Sequence, residues 1–342
     1  MSQGRQISAT DEFLSRRNEP TLEPDLPIID PHHHLWIRDG EPYLLPELLA
    51  DLNSGHRITA TVFAECHSMY REDGPMELRP VGETQFVAGV AAMSESGGFG
   101  TARACAAIFG GVDMTLGEAV EPVLEAHIRA GGGRFRGVRY STGWDASEKI
   151  RSIVPEPHRL ADPRVRAAMG VLHRLGLSFD AWLYHPQLAD IADLAAAFPD
   201  LPIILNHVGS PILGGPYAGR HSEVFAAWKA GIAQVAAHEN VVVKLGALPI
   251  RLQGGTHDRE MPPSSEEVAA AWRPYLETCI EAFGPKRAMF ESNFPVQRRW
   301  CSYQVVWNAF KLIAAGASAE AKADLFSRTA ARVYRIPEKS PG

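Results

Sequence analysis

Apolar positions along this chain recur at two periods, and the two periods alternate. Short runs of β-branched and aromatic residues read as buried strands, and longer stretches with apolar residues three and four apart read as amphipathic helices. Strands are predicted at residues 26–29 (LPII), 58–64 (ITATVFA), 85–93 (QFVAGVAAM), 135–140 (FRGVRY), 177–183 (LSFDAWL), 201–206 (LPIILN), 240–245 (NVVVKL) and 287–291 (RAMFE). Helices are predicted at residues 44–51, in a small-residue segment after the third strand, and at 117–130, 162–175, 186–198, 223–238, 264–283, 303–315 and 319–334. Punctuation supports the boundaries: Pro163 sits in a first turn, and Gly131, Gly176 and Gly284 follow helix ends, where a glycine stops a helix at least cost.

Eight short apolar strands alternating with helices predict parallel β/α units, and eight such units predict a closed (β/α)8 TIM barrel. Loop lengths give that barrel a polarity. Segments entering strands are terse (131–133, 199–200, 284–286), whereas segments leaving them are long and polar (141–161, 209–222, 246–263, 294–302). Barrel enzymes build their sites from loops that follow strands, so one face is expected to carry the chemistry. Residues 1–25 show no sustained period and are expected to form an arm, with 26–338 as the single barrel domain.

Bulk properties narrow the function classes. A chain of 342 residues exceeds the ~250 typical of such barrels by what long loops would add. The net charge of −6 and the scattered basic residues form no stripe that would follow a phosphate backbone, so no nucleic-acid partner is expected. No apolar run approaches the ~20 residues that span a bilayer, and the first 25 residues hold no apolar core of a leader, so a soluble protein with no membrane partner is expected. Cys66, Cys105, Cys279 and Cys301 are far apart and form no CxxC pair, which suits reduced thiols and a cytoplasmic home. The expected partner is a small-molecule substrate; whether the chain forms a homo-oligomer is left open.

Titratable residues collect where the predicted strands end. Residues 30–36 read Asp-Pro-His-His-His-Leu-Trp, and on an extended strand Asp30, His32 and His34 would share one face while His33 points away. Glu65 and His67 follow the second strand, Arg139 ends the fourth, and Asp180 and His185 lie on and after the fifth. Asn206 and His207 follow the sixth, Lys244 lies in the seventh, and Glu291 and Asn293 end the eighth. Closing the barrel makes these groups neighbours around one mouth, where burial and mutual charge shift their pKa values. Taken singly, Asp180 and Lys244 would serve equally as a barrel ion pair, and Arg298 as solvated loop charge.

Three of these stretches, Asp-x-His-x-His-x-Trp at 30–36, Asn-His-Val-Gly at 206–209 and Phe-Glu-Ser-Asn-Phe-Pro at 290–295, resemble the amidohydrolase superfamily. The similar branch is the amidohydrolase-related one that holds fuconolactonase-like and pyrone dicarboxylate lactonase-like enzymes, and the resemblance runs over residues 27–334. It implies a barrel whose paired histidines, a histidine after the sixth strand and an aspartate after the eighth form the site, with Zn²⁺ or Mn²⁺ in the members that use metal. Here the imidazoles would be His32, His34 and His207, but Asn293 stands where the aspartate is expected. A carboxamide is not a base in the working pH range and ligates a dication poorly, so either a metal bound by His32, His34 and His207 with help from Glu291, or a metal-independent site, is compatible with the sequence.

The resulting expectation is a hydrolase that opens a small lactone, aromatic-derived or sugar-like, with Glu291 as the base and Asn293 orienting water or substrate. The alternative use of Glu291 is an ion pair with Lys244 or Arg287. Arg139 is expected to grip a substrate carboxylate, with His67, Asp180, His185, Lys244 and Arg298 as further substrate-binding groups and Trp36, Trp144, Trp182 and Trp300 as walls. Two other functions fit the same residues: a metal-dependent decarboxylase acting on an aromatic or muconate-type acid, and a non-catalytic barrel that binds a ligand.

Overall fold

A computed structural model describes residues 9–248 and 260–337. Residues 1–8 of the arm, 249–259 of the loop after the seventh strand and 338 at the domain's end lie outside them. Eight strands form one parallel sheet in sequence order: β1 (Ile28–His33), β2 (Ile58–Ala64), β3 (Arg103–Gly111), β4 (Phe135–Ser141), β5 (Ser178–Trp182), β6 (Ile203–Leu205), β7 (Val241–Gly246) and β8 (Ala288–Glu291). The chain just past β8 closes the barrel on β1. Asn293 donates its backbone N–H to the His32 carbonyl at 2.9 Å, and His34 donates to Phe294 at 2.7 Å.

Seven of the eight predicted strands overlap observed ones. The third does not: residues 85–93 lie inside a helix, Val81–Glu95, and the strand is Arg103–Gly111, which had been expected to be helical. The buried positions Thr84, Val87, Val90, Ala91 and Ser94 follow a helical period, which a nine-residue window does not separate from a buried run. RACAAIFGG is rich in alanine, a helix former, yet it is covered on both faces inside a parallel sheet, and tertiary burial decides.

Two layers of core hold the site. Between sheet and helices lies a large apolar cluster that includes Phe63, Phe179, Trp228, Trp272 and Phe310. The barrel interior is filled by Ile29, Val62, Phe109, Ile204, Val242 and Met289, and by Tyr334 from the end of the chain. The helix expected over 319–334 is broken into Ala319–Ala323, a π-helical turn Asp324–Arg328 and Thr329–Val333. Tyr334 then enters from the floor of the barrel. Arg136, at the start of β4, donates to its carbonyl at 2.8 Å, and its ring stacks on Phe109 with centroids 5.8 Å apart.

The arm carries a short helix, Ala9–Ser15, and runs back over the body. Asn308 and Lys311 bond the carbonyls of Pro20, Leu22 and Glu23, while Arg16 and Arg17 reach the carbonyls of Glu260 and Pro262 in the loop after β7. No helix among the described residues is long and apolar enough to cross a membrane.

Candidate active site

The strand ends open into a cavity of about 720 Å³ at the C-terminal mouth. His34, His67, Arg139, His207 and Asn293 line it, together with Glu65 and the aromatic walls Trp36, Trp182 and Tyr184. Local backbone aims several of them. His207, Val208, Gly209 and Ser210 all hold positive φ directly after β6, and Asn293 (φ 53°) and His67 (φ 59°) do so after β8 and β2. Non-glycine residues pay of order 1–3 kcal/mol for sparsely populated conformations, so such turns concentrate where side-chain direction matters.

Beneath the cavity floor four predicted residues, His32, Asp180, Lys244 and Glu291, are fully buried. Glu291 Oε1 accepts from His207 Nδ1 at 2.6 Å and from the His207 backbone N–H at 3.2 Å. That fixes the imidazole: Nδ1 carries the hydrogen, and Nε2 is the basic nitrogen left for the cavity. Burial pulls the His207 pKa below its usual range, and the Glu291 charge and hydrogen bond pull the other way. Glu291 therefore reaches the cavity through His207 and has no opening of its own. Arg287, the other partner expected for Glu291, instead bonds the carbonyls of Ala236, His238 and Val241.

Alternation placed Asp30 on one face with His32 and His34. The two histidines do converge, with ring centroids 4.9 Å apart, but a register shift between Asp30 and His33 turns Asp30 to Ser292 Oγ (2.5 Å) and the Tyr303 hydroxyl (3.0 Å). There it ties β1 to the turn after β8, and burial pushes its pKa up to about 6. His33 points away as expected, meeting Thr61 Oγ1 at 2.8 Å.

His34 has a defined task. Its Nδ1 lies 2.9 Å from the Ala64 carbonyl, which only accepts, so Nδ1 must donate. Burial holds the pKa of His34 well below its usual value, so Nε2 is a bare acceptor 3.2 Å from Asn293 Oδ1. Two acceptors cannot share that contact. The Asn293 amide is therefore turned to present its NH2 to His34, and its carbonyl is free to accept from a water in the cavity.

Asp180 and Lys244 are an interior ion pair at 2.8 Å, and neither lines the cavity. Lys244 Nζ also lies 3.2 Å from His32 Nδ1 and 4.2 Å from the centroid of the Phe109 ring. His185 accepts from the Ile212 backbone and packs on Tyr217, propping the loop after β6 and not lining the cavity. Arg298 pairs with Asp11 of the arm and stays out of the cavity as well. Of the four tryptophans, Trp36 and Trp182 are cavity walls, while Trp144 and Trp300 are not.

Sequence reasoning missed Arg38, Lys149 and Arg151, which line the cavity from the loops after β1 and β4. No spacing marks a basic residue in a long loop as one that folds inward. Arg38 stacks over Trp36 at 3.8 Å and donates to the Cys66 carbonyl at 2.7 Å. With Arg139 they make the cavity basic in a chain whose net charge is −6. Glu65 is the one carboxylate among the described lining residues, and its Oε1 lies 3.4 Å from Arg139 Nη1.

A divalent cation fits this donor set in part. His32, His207 and Glu291 offer ligand atoms within 4.8 Å of one another, and His32 Nε2 is buried without a hydrogen-bond partner among the described residues, while Glu291 Oε2 lies 3.1 Å from His32 Nδ1. The Lys244 ammonium beside His32 opposes a second positive charge at short range.

Behind Glu65, Glu83 is buried and accepts from the Cys66 and Ser68 backbone N–H groups. Burial, then the Glu65 charge, push its pKa up to about 8. A carboxyl whose folded pKa is raised contributes stability that is fully present below its unfolded value near 4.5 and is lost as pH rises through the folded one. Stability should therefore fall between about pH 5 and 8, at up to ~1.4 kcal/mol per pH unit, and Glu83→Gln should flatten that slope in denaturant titrations run across the range.

Comparison with known proteins agrees with this architecture. Residues 29–336 match the family model described as amidohydrolase. The uncharacterized protein y4mH of Sinorhizobium fredii is 32% identical over 334 residues, covering 91% of this chain and 99% of that protein. An L-fucono-1,5-lactonase of Burkholderia multivorans is 28% identical over 239 residues, covering 68% of this chain and 72% of its own length. A crystal structure of an amidohydrolase from Burkholderia multivorans with bound zinc superposes with a TM-score of 0.69 at 22% identity, covering 91% of this chain and 99% of that one.

Proposed function

The chain belongs to the amidohydrolase family, and on that premise we propose that it hydrolyses a small lactone at the C-terminal mouth of its barrel. One observation carries the proposal: a histidine whose Nδ1 is fixed by a buried carboxylate, His207 on Glu291 at 2.6 Å, presents its basic nitrogen to a cavity that Arg139 also lines. That is the arrangement of a general base oriented by an acid, with a cationic donor set to receive negative charge.

Water held by the Asn293 carbonyl attacks the lactone carbonyl carbon while His207 Nε2 takes its proton. The new C–O bond leaves an alkoxide, which Arg139 stabilises, and Glu291 stabilises the imidazolium. Collapse breaks the ring C–O bond, and the departing oxygen takes the proton back from His207, giving a hydroxy acid. The base thus acts through His207, with Glu291 behind it, which revises the direct role that sequence suggested for Glu291. Trp36 and Trp182 wall a flat ring, and the basic lining favours a lactone that carries a carboxylate.

If a divalent metal binds, His32, His207 and Glu291 would hold it, and it would supply Lewis-acid polarisation and a more acidic water. The steps above run on the chain's own residues, so turnover after chelation should stay within about threefold of the untreated enzyme, well short of the losses that removal of a catalytic group causes. Stoichiometric metal, with activity lost on chelation and restored by zinc or manganese, would overturn that sequence of steps.

The reaction class is tested with a lactone panel read by proton release, in which each neutral lactone is paired with a carboxylated one. Turnover with preference for the carboxylated member is expected. Carbon dioxide release from aromatic acids without lactone turnover would replace hydrolysis by decarboxylation. The lactonase similarity and the basic cavity support hydrolysis together; neither names the substrate.

A further inference from the structure

Arg139 is held on one side by Glu65, whose carbonyl and Oε1 each lie 3.4 Å from Nη1, and on the other by a line of hydrogen bonds that starts at the opposite end of the barrel. Its Nε donates to Asn206 Oδ1 at 3.1 Å. The other end of the same amide, Asn206 Nδ2, donates to Asp180 Oδ1 at 3.1 Å and to the Ile204 carbonyl at 3.3 Å. These partners leave the amide one orientation, with its oxygen toward the guanidinium. Asp180 Oδ1 accepts in turn from Lys244 at 2.8 Å and from the Tyr334 hydroxyl at 2.9 Å. Asp180, Asn206 and Tyr334 are each fully buried.

Tyr334 follows the short helix Thr329–Val333 and does not line the cavity. Its hydroxyl remains a donor because burial and the neighbouring Asp180 carboxylate push its pKa far up. The backbone around it is pinned to the barrel floor on two sides, since Arg335 donates to the Gly176 carbonyl at 2.7 Å and Arg136 to the Tyr334 carbonyl at 2.8 Å. A rigid floor, a single hydroxyl and two buried polar side chains therefore connect Tyr334 to the Arg139 guanidinium near the end of β4 at the mouth.

We propose that Tyr334 is a positioning residue for the active site, setting the direction of Arg139 through Asp180 and Asn206. The line also fixes a direction of dependence. Removing the hydroxyl leaves Asp180 to Lys244 and Asn206 alone, loosens the hold on Asn206, and widens the range of angles that the guanidinium visits. The consequence for turnover rests on the reading above that Arg139 meets the substrate; the coupling itself does not.

The test has two arms. The Arg139 side-chain Nε–Hε resonance, assigned by its loss in Arg139→Lys, is followed in protein without any substrate. In Tyr334→Phe, which keeps the ring on Phe109 and removes only the hydroxyl, it should shift and broaden. Asn206→Ala, which cuts the same line nearer the guanidinium, should move it further. In the second arm, kcat/KM for the best-turned-over lactone of the panel should fall about threefold to tenfold in each single variant, as expected for one lost buried hydrogen bond. The double variant should fall no further than the worse single, because both cut one line. A moved resonance with no lactone turnover in the wild-type protein would reject hydrolysis and keep the positioning role. An unmoved resonance in both variants, or single effects that multiply in the double, would overturn the positioning role even if thermal stability fell.

Discussion

Replacing His207 by alanine should lower kcat/KM by about 10²–10⁴ while leaving the fold in place, because a positioned base is worth that much and the side chain borders open space. The residue lines the cavity with one nitrogen committed to Glu291, so truncation removes the proton acceptor, while Glu291 keeps the residue 207 backbone N–H at 3.2 Å and His32 Nδ1 at 3.1 Å as partners. Glu291→Gln should cost less than removal of the imidazole and should change the pH profile. A base works only when neutral, so activity falls as pH drops through the His207 pKa. Burial already lowers that pKa while Glu291 raises it, so removing the carboxylate charge should move the acid limb to lower pH. A Glu291→Gln enzyme with an unchanged acid limb would show that some other group takes the proton.

Asp180→Ala should destabilise the protein by about 3–5 kcal/mol, since it takes from the buried Lys244 ammonium its hydrogen-bonded counter-charge and leaves only the more distant Glu291 carboxylate. Lys244 is fully buried, desolvation lowers its pKa, and the Asp180 charge is the largest influence holding it up. The loss should be much smaller when Lys244→Met is added, because an apolar pair of similar volume needs no compensation, although Tyr334 and Asn206 still lose their acceptor. Urea denaturation with an unchanged slope reads the difference directly. If the double variant is no more stable than Asp180→Ala alone, the stranded charge is not the cause.

The strands were legible where one physical signal dominated. Runs such as 58–64 and 240–245 are β-branched and bounded by polar residues, and they lie within a residue of the observed β2 and β7. The third strand was not legible, because alanine-rich segments obey helix propensity until a sheet buries them on both faces. At the site, the titratable residues at strand ends identified the mouth, and barrel closure alone then placed His32, His34, His207 and Asn293 together. The strand period set Glu291 one pleat below Asn293, but the linear sequence showed no such depth for Asp180 and Lys244. Glu291, Asp180 and Lys244 share strands with mouth residues but sit one level down, and only a three-dimensional layer separates a group that meets solvent from one that orients its neighbour. Lys149 and Arg151 were hidden for the opposite reason: they lie on a long loop with no period to reveal which way it folds. The turn of Asp30 away from His32 follows from a local register shift that alternation cannot foresee.

Hydrolysis by water attack at the lactone carbonyl is tested most directly by a single turnover in ¹⁸O-labelled water, using the panel lactone with the highest kcat/KM and mass analysis of the product. One labelled oxygen should appear in the new carboxylate and none in the ring-derived hydroxyl, in the wild-type enzyme and, at a rate lower by about 10² or more, in His207→Ala. Label in the hydroxyl group, or an unlabelled product formed with release of carbon dioxide, would contradict it.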